Sequence, residues 1–184
     1  MRQRLSSNSP AWSKGFQPPP PLAAQDWHLT PLHPDLSEVD YQAWKSCRER
    51  LVRELDWNGW PGPEFSLEEN RLDLAEHYRE FEDREAYAYS VLSGEDCVGC
   101  LYIEPWSSGA QLAFWFRDDW LPRETEVIEA VLKWLEGWPF DEVLLPLRPW
   151  NARKLAAVQA LGLRPCAGPE GHVSHTQQRR PGGT

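Results

Sequence analysis

Residues 86–117 read AYAYSVLSGEDCVGCLYIEPWSSGAQLAFWFR, and this stretch decides the fold. Ala86–Leu92 alternates in the manner of a strand and stops at Ser93-Gly94-Glu95-Asp96, the composition of a hairpin turn. Cys97–Glu104 follows, then Ser107-Ser108-Gly109 turns the chain into Gln111–Arg117. Hairpins join neighbours antiparallel, so three such strands form one meander. Downstream, an amphipathic segment from Glu124 to Glu136 leads into the apolar run Val143–Leu147. A helix between two strands predicts a crossover, which makes a parallel pair. Asn151 then opens a last helix that stops at Gly162.

Upstream, Trp27–Leu32 reads as a short first strand ended by Pro34 and Asp35. Ser37 with Asp40 is expected to cap a helix carrying Trp44, Cys47, Leu51 and Leu55 on one stripe. The glycines and prolines of Asp56–Pro63 make that segment a loop. Ser66 followed by Glu69 is a capping box, opening a helix with Leu67, Leu74, Ala75, Tyr78 and Phe81. Beyond Leu163, His172–Thr176 reads as a closing edge strand. The predicted order is β-α-α-β-β-β-α-β-α-(β): an α/β (α+β) chain whose mixed, mostly antiparallel central sheet is flanked by helices. A single domain is expected over residues 26–176. A flexible Pro-rich arm, residues 1–25, precedes it, with Trp12 and Phe16 as its only aromatic residues, and a flexible tail, residues 177–184, follows.

The bulk numbers bound the function. At 184 residues and 41% hydrophobic, the chain suits one domain with a real core. Its 28 acidic against 19 basic residues give a net charge of −9, which argues against a general nucleic-acid binder. No segment approaches the roughly 18 apolar residues of a membrane span. Arg2 and Arg4 are followed by polar and proline-rich sequence, without the apolar core of a signal peptide, so the expected location is cytoplasmic.

Cysteines stand at 47, 97, 100 and 166. Strict alternation would put Val98, Cys100, Tyr102 and Glu104 on one face and send Cys97 to the other. That splits the Cys97-x-x-Cys100 pair, so buried reduced cysteines and no metal are expected. Histidines at 28, 33 and 77 read as surface residues. His172 and His175 are too few to define a metal site. The chain has 11 tryptophans. Those at 44, 115 and 134 fall in periodic segments and read as core. Those at 57, 60, 106, 120 and 150 sit at turns or element ends, where they either line pockets or staple loops.

The element order, two helices after the first strand, and the final Asn151…Gly162-Leu163 helix resemble the GNAT superfamily of N-acetyltransferases over residues 26–176. The resemblance implies a direct transfer of acetyl from acetyl-CoA to a small amine or a terminal amino group. In that family the fourth and fifth strands splay, and coenzyme A's pantetheine arm fills the gap. Carried to this chain, the backbone of Leu112, Phe114 and Phe116 would pair with the arm and steady the thioester oxygen. Arg117 and Arg123 would meet the phosphates, and Asn151 the pantetheine. Glu104 would be the general base, its alternative being a solvated strand end. Trp57, Trp60 and Tyr102 would receive an amine or N-terminal peptide, because aromatic faces beside Asp56, Glu64, Glu68 and Glu69 attract cations.

Two positions depart from the family's pattern. Its glycine-rich pyrophosphate loop is replaced by Arg117-Asp118-Asp119-Trp120-Leu121-Pro122-Arg123, which has no glycine and two extra negative charges. Pro122 also removes an N–H donor. Where many members carry a proton-donating Tyr, seven residues after the Asn, this chain has Val158. These departures motivate the alternative of a catalytically degenerate module whose Trp-rich cleft holds a ligand or protein partner. Either reading is compatible with a homodimer.

Overall fold

The computed structural model describes residues 12, 15–106 and 109–178; the Ser107-Ser108 turn and the last residues of the tail lie outside these. In chain order the elements are β1 (His28–Pro31), α1 (Ser37–Ser46), α2 (Arg48–Leu55), α3 (Leu67–Glu82), β2 (Tyr87–Ser93), β3 (Asp96–Trp106), β4 (Gly109–Phe116), α4 (Glu124–Leu135), β5 (Glu142–Leu147), α5 (Ala152–Ala160), β6 (Arg164–Cys166) and β7 (Val173–Gln178). The strands form one sheet in the order β1-β2-β3-β4-β5-β7-β6. All neighbours are antiparallel except β4 and β5, which are joined by the α4 crossover. This is the mixed, mostly antiparallel sheet that the hairpin signals predict.

Local chemistry explains the element ends. Ser66 and Glu69 form the full capping box, each accepting from the other's backbone N–H. Asn58 and Gly59 both take positive φ, 50° and 80°, in the tight turn that pairs Trp57 with Trp60. The helix expected from Ser37 to Leu55 is instead two. Cys47 leaves helical geometry (φ −126°, ψ 19°), and the kink keeps Trp44, Cys47, Leu51 and Leu55 all buried. The expected Ser37–Asp40 cap is absent: α1 follows a 3-10 turn at Pro34–Leu36 without a side-chain cap, and Asp40 turns inward. The C-terminal strand is interior rather than an edge. β7 pairs with β5 along six residue pairs and with β6 along three, leaving the edge to β6, an edge strand being where a proline such as Pro165 is tolerated.

The sheet has two buried faces. Tyr87, Tyr89, Leu101, Ile103, Leu112, Phe114 and Phe116 share one core with α4, Trp138 and Val158. Ala88, Cys100, Tyr102, Ala113 and Trp115 share the other with α1, α2 and Leu74 of α3. β3 changes phase at its start. Val91 pairs with Gly99 but Leu92 pairs with Cys97, so Val98 is an extra residue in a β-bulge. The bulge moves Val98 to the α4 face and brings Cys97 to the same face as Cys100, against the strict alternation expected from the sequence.

Candidate active site

The functional geometry begins where β4 leaves β5. Their parallel pairing holds at Ala110–Val143 and Gln111–Leu144 and ends there, while β4 continues to Phe116 and β5 to Leu147. The closed end is pinned at Gly109, where a Cβ would stand 2.3 Å from the Glu142 carbonyl oxygen. Beyond Gln111 the strands open like a V. Along one strand, alternate residues point their N–H and C=O to the same side. Arg117 N–H bonds back to Val98 of β3, so Phe114 and Phe116 present theirs to the opening.

Side chains of two helices meet that edge. Lys154 of α5 donates from Nζ to the Phe114 carbonyl and lies 4.1 Å from the Phe114 ring centroid. Arg50 of α2 donates to the Phe116 carbonyl. Around them, Glu54 accepts from Arg50 and from Arg153, each at 2.9 Å, and Arg153 reaches Glu124 at 2.7 Å. Burial pushes the Lys154 ammonium down to about 8, with Glu124 and Glu54 partly opposing that shift. Burial alone would raise Glu54, but the Arg153 hydrogen bond and the charges of Arg153 and Arg50 hold it below the usual carboxylate range. Asn151 caps α5 by accepting from Lys154 N–H at 3.1 Å, and its amide donates to Glu54 O at 3.4 Å. Sequence reasoning placed Asn151 here but missed Lys154, Arg50, Glu54, Arg153 and Glu124. The available signals were Arg50 and Glu54 four apart on one helix, and Arg153-Lys154 in the first turn after Asn151.

The glycine-free segment folds as a 3-10 helix, Asp118–Arg123, with Asp118 and Asp119 in its first turn. Arg117 and Arg123 are not brought together. Arg117 makes a two-bond pair with Asp119, both at 2.7 Å. Arg123 lies over the Trp120 ring and pairs with Glu126 at 2.7 Å and with Asp26. Positive charge collects elsewhere. Lys45, Arg48, Arg50 and Arg53 line a cleft of about 510 Å³ beside Glu49 and Asp118, next to the open end of β4.

On the α1–α2 face of the sheet, Trp57, Trp60 and Tyr102 do converge. The Trp57 ring is 5.6 Å from Trp60 and 5.4 Å, edge-on, from Tyr102. His77 lies 5.3 Å from Tyr102, and Trp115 Nε1 donates to the Tyr102 hydroxyl at 3.3 Å. Glu104 is two residues along the same strand and buried, accepting from Gln111 Nε2 at 2.6 Å. Gln111 is the last β4 residue paired to β5, so this carboxylate sits by the apex of the V.

No protein-family model and no curated protein sequence matches this chain. Solved structures do match it. RimL, the ribosomal L7/L12 alpha-N-protein acetyltransferase in complex with coenzyme A, has a TM-score of 0.72 at 13% identity, covering 85% of this chain and 96% of its own. The microcin C7 self-immunity acetyltransferase MccE, in complex with acetyl-CoA and AMP, scores 0.73 at 9% identity over 85% and 94%. The ribosomal-protein-S5-alanine acetyltransferase from Vibrio fischeri scores 0.71 at 9% identity over 86% and 96%. The chain has the GNAT acetyltransferase fold.

Proposed function

We propose that the protein transfers the acetyl group of acetyl-CoA to an amine, either a peptide's terminal amino group or a small amine. The observation that carries this reading is the parting of β4 from β5 after Gln111, in the fold of acetyltransferases solved with coenzyme A or acetyl-CoA. The carbonyls of Phe114 and Phe116 take side-chain donors in place of a strand. The amide N–H groups of an extended arm are equivalent donors, so the residues present fit a pantetheine chain that displaces the Lys154 and Arg50 head groups. Acetyl-CoA would supply an acetyl group already activated as a thioester.

The chain's own residues supply the rest. Leu112, Phe114 and Phe116 hold the arm, and an N–H on that edge is aimed where negative charge develops on the acetyl oxygen, an arrangement worth several kcal/mol. The cationic cleft of Lys45, Arg48, Arg50 and Arg53 takes over the phosphate-binding work of the missing glycines. Glu104 accepts the proton of the incoming ammonium, directly or through a water. Lys154, brought near 8 by burial, is matched to a thiol of about 8.5 and returns a proton to the sulfur, the task left vacant by Val158. Trp57, Trp60 and Tyr102 give the acceptor an aromatic seat. The names of RimL and of the S5-alanine enzyme support an α-amino acceptor.

The test is twofold. Acetyl-CoA should raise the thermal midpoint of the protein, and release of free coenzyme A thiol should depend on an added peptide with a free amino terminus. An Arg50→Ala, Arg53→Ala double variant should bind acetyl-CoA at least about tenfold more weakly, the scale of one lost charge-assisted bond. No midpoint change at millimolar acetyl-CoA refutes the proposal. Binding without turnover on any amine supports the degenerate module instead.

A further inference from the structure

The β3 bulge has a chemical consequence independent of acetyl transfer. It places two thiols beside a carboxylate from α1, all three interior: Asp40 is 3% exposed, Cys97 1% and Cys100 0%. We propose that Asp40, Cys97 and Cys100 form a binding site for a thiophilic divalent metal ion, zinc being the best match.

The geometry is that of a ligand set. A tetrahedral zinc ion, about 2.3 Å from sulfur and about 2.0 Å from oxygen, separates an O donor from an S donor by about 3.5 Å. Here Asp40 Oδ1 is 3.2 Å from Cys100 Sγ and 3.9 Å from Cys97 Sγ, and the three donor atoms lie within 4.8 Å of one another. Two sulfurs on such an ion stand about 3.8 Å apart, so an ion can enter with side-chain adjustments of about an ångström or less.

The support around the ligands is also built. Asn70 Nδ2 donates to Asp40 Oδ2 at 3.0 Å and to Ser37 O at 3.0 Å, while its Oδ1 accepts from Trp44 Nε1 at 3.0 Å. That buried amide is held at three points, and it fixes the carboxylate so that the other oxygen, Oδ1, faces both sulfurs. Outer partners of this kind orient metal-binding carboxylates. The electrostatics point the same way. The hydrogen-bond partners of Asp40 are an amide and two thiols, none of them positively charged, and a carboxylate this deep either sheds its charge or takes a cation.

Thiolate and carboxylate donors with one position left over suit zinc, which takes four ligands. Cys97 also lines a surface cleft of about 630 Å³ with Gln42, Ser46, Asp96 and Arg117, which gives the ion a path and the fourth position a water or small ligand. On binding, each thiol forms a metal–sulfur bond and releases its proton to solvent, and the carboxylate adds the third bond. No oxidant or reductant is involved. The ion would tie α1 to the start of β3, beneath the aromatic seat of the acceptor.

Full-length protein, kept reduced, tests the assignment with cobalt and zinc ions alone. Cobalt should produce thiolate-to-metal charge-transfer absorption at one ion per chain, and zinc should displace it. Zinc a hundredfold above its dissociation constant should raise the thermal midpoint by about 5–10 °C. Cys97→Ser and Cys100→Ser should lose both effects, while Cys166→Ser on β6 keeps them. If either serine variant fails to fold, the stoichiometry and zinc displacement in the unaltered protein still decide. Absence of the charge-transfer band, or a band that survives in folded Cys97→Ser and Cys100→Ser, overturns the site.

Discussion

Lys154 is 2% exposed, yet it carries an ammonium held by one carbonyl and the face of Phe114. Its folded value of about 8 lies below the ordinary 10.5. Below pH 8 both the folded and unfolded chains hold the proton, and the full cost of burying the charge, on the order of 3 kcal/mol, is present. Between pH 8 and 10.5 the unfolded chain keeps a proton that the folded chain has lost. Stability therefore rises with pH across that window. Urea unfolding at a series of pH values should record this rise for the native chain, and Lys154→Met should flatten it. The expected loss of activity for the same variant is largest in release of the thiol product. Glu104 makes the second residue-level prediction. Glu104→Gln retains an oxygen that can accept from Gln111, so the fold should be unchanged in circular dichroism. Turnover should fall by roughly a hundredfold or more, the usual contribution of a general base.

At the scale of elements, the opening depends on how β4 is fixed at one end and released at the other. Gly109 lets the backbones of β4 and β5 touch at Glu142, and a Cβ there meets main chain that cannot rotate aside. Gly109→Ala should cost about 1–3 kcal/mol in urea unfolding. It should also weaken acetyl-CoA binding, because prying open the apex changes the spacing of the whole V. A change confined to stability would show instead that the gap is set from its open end, by α5 and α2. The bulge in β3 rests on similar close contact. A Cβ at Gly99 would lie 2.4 Å from the Trp115 carbonyl oxygen, so the phase change that aligns Cys97 with Cys100 occurs where the strands approach too closely for a side chain.

Across the whole molecule, the N-terminal segment completes the α4-side core. Trp12 is 3% exposed, its ring 5.3 Å from Tyr87 and 6.2 Å from Phe140, and its Nε1 donates to Arg84 O at 2.8 Å. Phe16 packs on Tyr87 and Trp138, and Trp134 Nε1 donates to Pro20 O. Trp12→Ala should therefore destabilise the protein by about 3–5 kcal/mol, the cost of emptying a large aromatic site. Thermal denaturation of that variant checks the figure, and a loss below 1 kcal/mol would mean that the segment merely lies on the surface.

Periodicity, turn residues and caps were enough to read the meander, the α4 crossover, the capping box at Ser66 and the Asn151 cap, because each is a short-range preference of neighbouring residues. The expectation that Leu112–Phe116 faces an opening came instead from the likeness to the GNAT superfamily, and the grouping of Trp57, Trp60 and Tyr102 from their aromatic character. Local preference could not foresee that Lys154 and Arg50, 104 positions apart, would meet one strand edge, nor that the cationic cleft would be built from Lys45, Arg48, Arg50 and Arg53 of α1 and α2 rather than from Arg117 and Arg123 of the glycine-free loop. Nor could alternation reveal the bulge, since one extra residue reverses every side chain before it and only pairing with β2 shows the extra residue. Local sequence determines which elements form and where they end. Which side chains share a site is decided by contacts between segments far apart in the chain, through close backbone approach and the need of buried charges for partners.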